Sequence, residues 1–194
     1  DFLLDADFQE SAGNMCRTGQ VPLVPFLFFP DVQQGKVDFK SIKVCFSGAA
    51  ALMSDTKQRF ETLTGGRIVE GYSLTEAMMA LVINPVLGPN KLGSVGMPLP
   101  DVMVRIYDAE DGQRIMPLNE VGEICFSGAQ LMIGFWNRPD ETAGVLRDHV
   151  DPDGGRRWLH TGDLGYLDPD GYLFIVDRKK RSEEHTSELQ SRGL

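Results

Sequence analysis

Positive charge is in deficit along this chain: 19 lysines and arginines stand against 28 aspartates and glutamates, for a formal net charge of -9. That balance argues against nucleic acid or an anionic lipid surface as a partner, because both select a cationic face. Anionic small molecules remain compatible, since one site can be positive on an acidic protein. Cysteine is scarce too. Cys16, Cys45 and Cys125 are odd in number, far apart and without metal-ligand spacing. They predict small buried apolar side chains in a reducing, cytoplasmic compartment rather than a disulfide framework. Long apolar runs are also missing. Residues 21–30 are the most apolar stretch, about half of what a membrane-spanning helix needs, and their prolines break any helix. No cationic start, apolar centre and small-residue cleavage site opens the chain, so no signal peptide is expected. The first residue is aspartate rather than methionine, which fits an internal piece of a longer protein.

What is present suits a soluble domain: 194 residues, 42% of them hydrophobic, suffice for a sizeable core. Residues 1–20 carry no clear period. Residues 41–47 alternate apolar and polar positions as a half-buried strand does. A small-residue turn, Gly48-Ala49-Ala50-Ala51, follows. Ser54 is positioned to cap a helix reaching about residue 64, with Phe60 and Leu63 on its inner face. Gly65-Gly66 ends that helix, and residues 67–70 form a short strand. Strand, turn, helix, strand is the order of a parallel α/β layer.

After Pro98 the pattern becomes β-rich. Residues 102–107 and 123–126 read as strands separated by the turn at 108–112. Residues 165–167 and 172–176 read as a hairpin joined by Asp168-Pro169-Asp170-Gly171. The expected fold is therefore mixed α/β, the end of a parallel layer followed by a barrel-like β section. No internal repeat occurs. The Asp-Pro-Asp-Gly turns at 151–154 and 168–171 lack the terminal glutamate of a calcium loop, so no metal is expected there.

Residues 181–194 differ in character, with almost no apolar content and no alternation. A solvated terminal segment is the simple reading. Residues 181–191 also resemble the in-frame translation of a sequencing-library adapter, and the segment is expected to be non-native.

Several short motifs carry chemistry. In Gly71-Tyr72-Ser73-Leu74-Thr75-Glu76, Tyr72 offers a ring for stacking, Thr75 a hydroxyl for an anionic oxygen, and Glu76 a carboxylate for a hard cation. Thr75-Glu76 equally reads as a helix start, threonine as cap and glutamate against the dipole. Gly122-Glu123-Ile124 and Gly134-Phe135-Trp136-Asn137-Arg138-Pro139 read as architecture, with a close turn at Gly134 and Trp136 as a core anchor. Thr161-Gly162-Asp163 puts a carboxylate on a tight turn, where it can accept two hydroxyl donors. His160 reads as a surface or packing histidine. Asp177-Arg178-Lys179-Lys180 is a basic cluster, which by itself is a solvated face.

In this fixed order the motifs resemble the second half of the nucleotide site of the adenylate-forming enzymes: acyl-CoA synthetases, luciferases and peptide-synthetase adenylation domains. The resemblance covers roughly residues 41–180, and less fully 21–40. It implies that residues 1–176 are the C-terminal portion of a large adenylation domain, and that residues 177–180 are a hinge at Lys180 to a small C-terminal domain. It implies ATP or AMP, Mg²⁺ and CoA as cofactors and co-substrate, with a carboxylic acid as substrate. By resemblance, Gly48, Ala49 and Ala50 line the adenine pocket beside Gly71. Tyr72 stacks on the base, Thr75 meets phosphate, Glu76 holds the metal, Asp163 binds the ribose diol and Arg178 contacts ribose or phosphate.

Ser73 stands where the family has glycine, so a left-handed backbone there would be strained, and Ala51 stands near an expected proline. A glycine- and hydroxyl-rich phosphate loop and the family's C-terminal lysine do not occur in the sequence, so the polypeptide by itself is expected not to turn over. Three parents fit: a long-chain fatty acid–CoA ligase, favoured by Glu70-Gly71-Tyr72 and by the run from Gly93 to Pro98; a domain loading a carrier protein's phosphopantetheine; or a non-catalytic nucleotide-binding relic. Peripheral membrane contact through a hydrophobic substrate stays open.

Overall fold

The computed structural model describes residue 36 and residues 42–48, 52–78, 80–151 and 154–178. Readings that fall on residues 1–35, on Ala49 and Ala50, and on residues 179–194 lie outside the described residues.

The first unit is strand β1 (Val44–Ser47), helix α1 (Ser54–Thr64) and strand β2 (Arg67–Ser73). β1 and β2 pair in parallel, with Ser47 opposite Glu70, as strand–helix–strand order predicts. Two local expectations are corrected. Met53, in an extended conformation, takes the N-cap position and no side chain caps the helix, so Ser54 is its first residue rather than its cap. The buried positions of α1 are Thr56, Phe60 and Thr64, while Leu63 is 39% exposed. The buried stripe runs i, i+4, i+8, and the Thr64 hydroxyl tolerates burial by donating to the Phe60 carbonyl at 2.8 Å. Gly65 ends the helix at φ 68, its N–H bonded to the Glu61 carbonyl.

β2 then turns through a single 3-10 turn (Thr75–Ala77) into β3 (Ala80–Ile83), which pairs antiparallel with β2 and with the short β4 (Met97–Pro98). The first sheet has the order β1-β2-β3-β4. The second holds β5 (Met103–Tyr107), β6 (Gly122–Ser127), β7 (Leu146–Asp151), β8 (Gly154–Leu167) and β9 (Leu173–Arg178). Its order is β5-β6-β8-β7, with β9 also on β8. Long β8 serves β7 along its first half and β9 along its second. Among the described residues the sheet does not close on itself, so the barrel-like expectation is replaced by an open antiparallel sheet.

Helix α2 (Pro139–Val145) lies between β6 and β7. The turn before it is built as the sequence suggests: a Cβ on Gly134 would lie 2.9 Å from Thr142 Cγ2. Thr142 Oγ1 accepts the Phe135 N–H at 2.9 Å and donates to the Arg138 carbonyl at 2.8 Å. That closure leaves the side chains from Trp136 to Glu141 outside. Trp136 is 89% exposed, so it is no core anchor among the described residues. It lines, with Ile133, Arg138 and Leu146, a hollow of about 700 Å³ that contains none of the expected site residues.

One apolar core joins the two sheets. Leu81 and Val82 of the first pack with Ile106, Ile124, Phe126, Leu159 and Leu173 of the second. The junction is made by the glycine-rich run before β4. Val95 N–H bonds to the Leu173 carbonyl at 2.9 Å, and Leu173 N–H to the Gly96 carbonyl at 2.8 Å. Gly96 sits so close to β3 that a Cβ would lie 2.0 Å from the Ile83 carbonyl carbon, which leaves no room for any other residue. Lys91 reaches across the same seam to Asp168 and Asp170, and its ammonium lies 4.7 Å from the centre of the Tyr172 ring. The seam matters because it fixes where β8 stands relative to β2.

Candidate functional site

The C-terminal ends of β1 and β2 lie side by side, the place where open α/β sheets gather ligands. Gly48 follows β1, and a Cβ on it would stand 3.3 Å from the Gly71 carbonyl oxygen, so the bare Gly48 lets these backbones approach, while a Cβ on Gly71 would stand 3.0 Å from the Val82 carbonyl oxygen of β3. Ser73 stays within β2 and is not among the residues with positive φ, which removes the strain expected of it. Thr75 and Glu76 lie on the 3-10 turn with Leu74 at its N-cap. A single turn replaces the helix start expected there. Thr75 is exposed and Glu76 half-buried. The Glu76 backbone carbonyl accepts the Met132 N–H at 2.7 Å, which ties this turn to the loop after β6.

Tyr72 leaves β2 toward the second sheet. Its ring stacks on Phe126 of β6, centres 5.8 Å apart, and its hydroxyl donates to Asp163 Oδ2 at 2.5 Å. The other oxygen of Asp163 pairs with Arg178 Nε at 2.9 Å. Asp163 and Arg178 are direct cross-strand partners on β8 and β9. β9 thus extends two residues beyond the expected end at 176, and the first two residues of the basic cluster, Asp177 and Arg178, become part of a sheet. Arg178 is largely exposed and Asp163 only 9% exposed, so the ion pair is anchored from the aspartate side. Burial, then the hydrogen bond and charge of Asp163, push the Tyr72 phenol far above its ordinary range, and it remains a neutral donor.

Asp163 does not sit on a tight turn, as expected; it sits in a bulge within β8. Between the pairs Cys125–His160 and Glu123–Leu164, β8 takes four steps while β6 takes two, leaving two residues extra on β8. Side chains satisfy the backbone that the bulge leaves unpaired. The Thr161 hydroxyl donates to the Ile124 carbonyl at 2.8 Å and accepts the Asp163 N–H at 3.0 Å. Gly162, at φ 73, gives its N–H to Glu123 Oε1 at 3.0 Å. A residue with a Cβ is strained at that φ. Threonine, glycine and aspartate each therefore have a separate mechanical reason to stand in that order.

His160 is a packing histidine, 4% exposed, as the sequence reading allowed. Two buried acids were not anticipated as site features. Glu70, opposite Ser47, accepts the Leu52 N–H at 3.2 Å, and its other oxygen is buried with no hydrogen-bond partner among the described residues. Glu123 is 4% exposed, second in a wholly buried strand. The trace of each in sequence is an acidic residue beside apolar strand positions, Ile68-Val69 before Glu70 and Ile124-Cys125-Phe126 after Glu123.

Residues 9–136 match the family model described as "AMP-binding enzyme". The chain is 46% identical over 157 residues to a long-chain-fatty-acid–CoA ligase of Bacillus subtilis (strain 168), covering 81% of this chain and 26% of that protein. Among solved structures, it is similar to a long-chain-fatty-acid-CoA ligase from Archaeoglobus fulgidus at TM-score 0.68 and 26% identity, covering 84% of this chain and 34% of that one. It is also similar to apo MatB from Rhodopseudomonas palustris at TM-score 0.66 and 32% identity, covering 77% of this chain and 28% of that one. The chain belongs to the AMP-binding, adenylate-forming enzyme family and resembles its long-chain fatty acid–CoA ligase members. It spans about a quarter of the length of the curated relatives it matches. No described helix is long and apolar enough to cross a membrane.

Proposed function

We propose that these residues form the adenosine side of the site of an ATP-dependent acid–thiol ligase. The ligase activates a fatty acid as acyl-AMP, transfers it to CoA, and releases AMP and pyrophosphate. The reading rests on the meeting of Tyr72 and Asp163, which come from different sheets, at the C-terminal ends of a parallel strand pair. Activation brings a carboxylate to a phosphate, so two anions must be held together by cations and aimed donors. Tyr72 supplies an aromatic face for adenine, with Gly48 giving backbone clearance for a flat base and Gly71 letting β2 lie close against β3. Asp163 receives the ribose hydroxyls on the lone pairs that Tyr72 and Arg178 leave free, and Arg178 adds positive charge at the rim. Thr75 offers its hydroxyl to a phosphate or carboxylate oxygen.

Glu76 is the residue that would hold Mg²⁺. It is a hard oxygen donor, half-buried, and no hydrogen bond or ion pair of its carboxylate to a described residue competes for it, a donor chemistry that suits the ion. When bound, Mg²⁺ neutralises the charge on the leaving phosphates. The 194 residues contain no glycine- and hydroxyl-rich phosphate loop. The isolated polypeptide is therefore expected to bind AMP without catalysing exchange.

The test has two arms. Calorimetry should detect AMP binding by the chain, and the longer protein that carries it should catalyse fatty-acid-dependent ATP–pyrophosphate exchange followed by acyl-CoA formation. Exchange with transfer only to a carrier protein's phosphopantetheine would reassign the thiol acceptor. Absence of AMP binding by both proteins would reduce the motifs to relics.

A further inference from the structure

Glu123 lies on the face of the second sheet opposite Phe126 and Tyr72, and takes no part in the proposed chemistry. Its carboxylate is nevertheless engaged at both oxygens. Oε1 accepts the Gly162 N–H at 3.0 Å, and Oε2 lies 3.2 Å from His160 Nδ1. His160 Nε2 lies in turn 3.0 Å from His149 Nε2 on β7. All three side chains are at most 6% exposed, and both imidazoles lie against the Tyr107 ring, centres 4.6 Å and 5.7 Å away. The chain of contacts runs from β7 through β8 to β6, and ends on the backbone of the bulge that carries Asp163.

We propose that Glu123 is the positioning residue for Asp163: it clamps the Gly162 N–H, with His160 and His149 fixing its rotamer, and so sets where the ribose-facing carboxylate points. This rests on the reading of Asp163 as the ribose acceptor. A bulge is otherwise free to relax, because two residues on β8 have no partners in the ladder. Thr161 holds one side of it and Glu123 the other. Glu123 and Thr161 are 38 residues apart, so two motifs that look independent in the sequence become one device, one supplying the carboxylate and the other its clamp.

Cys125 shares the pocket, and the donor atoms of Glu123, Cys125 and His160 all fall within 4.8 Å of one another. A metal there would have to take a ring nitrogen of His160, and both are already engaged, Nδ1 with Glu123 and Nε2 with His149. The hydrogen-bonded clamp therefore accounts for the cluster with no ion.

The test uses the longer protein that carries these residues, with Glu123→Met as the shape-matched variant and Glu123→Gln as the conservative one. Methionine keeps the volume and leaves the Gly162 N–H without an acceptor, while glutamine still offers a carbonyl oxygen to it. The expected result is a rise of about tenfold or more in KM for ATP with Met, kcat within about threefold, and recovery to within about threefold of the original KM with Gln. A general packing defect would lower kcat through the active fraction and leave KM alone; that pattern overturns the proposal, as does equal loss in Met and Gln. Should Glu123→Met not fold, hydrogen exchange on the unsubstituted, nucleotide-free protein decides. Gly162 amide protection of about a hundredfold or more supports the clamp, and exchange at an open-loop rate overturns it. Stoichiometric Zn²⁺ uptake abolished by Cys125→Ser would also overturn it. If the protein binds no adenine nucleotide at all, the ligase reading falls, and the exchange measurement still reports on the clamp.

Discussion

The Tyr72 hydroxyl donates to Asp163 Oδ2 at 2.5 Å across 91 residues of sequence. One oxygen of the carboxylate is thus held by a neutral phenol, and the other by Arg178 from the neighbouring strand. An ionised carboxylate has about four acceptor positions, so two hydroxyls of a ribose can still join without breaking either bond. The aspartate is aimed before any ligand arrives, which is how a site avoids reorganisation on binding.

Tyr72→Phe tests the phenol. Its pKa stands far above the ordinary 10.0 in the folded chain, chiefly through burial and then through Asp163. The unfolded chain releases this proton near pH 10 while the folded chain keeps it. The associated stability is therefore complete below about pH 10 and drains away as pH rises further. Urea midpoints from pH 8 to 11 should fall more steeply in the parent than in Tyr72→Phe. Parallel slopes would show that the phenol is not held as described.

Asp163→Asn keeps the size of the side chain and removes its charge. AMP affinity measured by calorimetry should fall by about 10- to 100-fold, the equivalent of about 1.4–2.8 kcal/mol for hydrogen bonds to a charged group. An unchanged affinity would remove Asp163 from the site.

For Glu76→Gln, expectations for stability and activity diverge. Because no pairing of its carboxylate with a described residue is lost, melting should shift by no more than an exposed substitution does, about 0.5 kcal/mol. In the longer protein the Mg²⁺ concentration for half-maximal exchange should rise at least about tenfold. A large melting loss with unaltered Mg²⁺ dependence would make Glu76 structural.

Asp168→Asn probes the seam between the sheets. Burial raises the pKa of this carboxyl, but Lys91 and the backbone N–H groups of Tyr172 and Asp170 outweigh it, and the net direction is downward from 3.8. The stability it contributes is present above pH 3.8 and lost as pH falls through the folded value. Melting curves between pH 2 and 5 should be flatter in Asp168→Asn. An identical acid limb would mean that the clasp to Lys91 does not hold the seam in solution.

Part of the element order and several of the turns were open to direct reading, because they depend on local chemistry, whereas β3, β4, α2, β7 and the first part of β8 were not read. Alternation, a glycine stop and the Asp-Pro-Asp-Gly turn gave the parallel β1–α1–β2 unit and the β8–β9 hairpin. Burial was less legible. Leu63 reads as core and is exposed, while Thr56 and Thr64 read as polar and are buried, because burial follows the face of α1 that meets the rest of the fold and not the polarity of each residue. Trp136 has the composition of an anchor, yet the turn closed by Gly134 and Thr142 holds it outward.

By itself, the sequence determined which residues could stack, accept and ligate, because those capacities belong to a side chain wherever it stands. Only the tertiary structure decided which of them meet. Asp163 reaches Tyr72 because two unpaired residues swell β8, and because Gly96 lets the sheets close at a seam. Glu123 gains a purpose only when β6 and β8 align. Register across strands is set by every neighbour at once, and no local stretch of residues contains it.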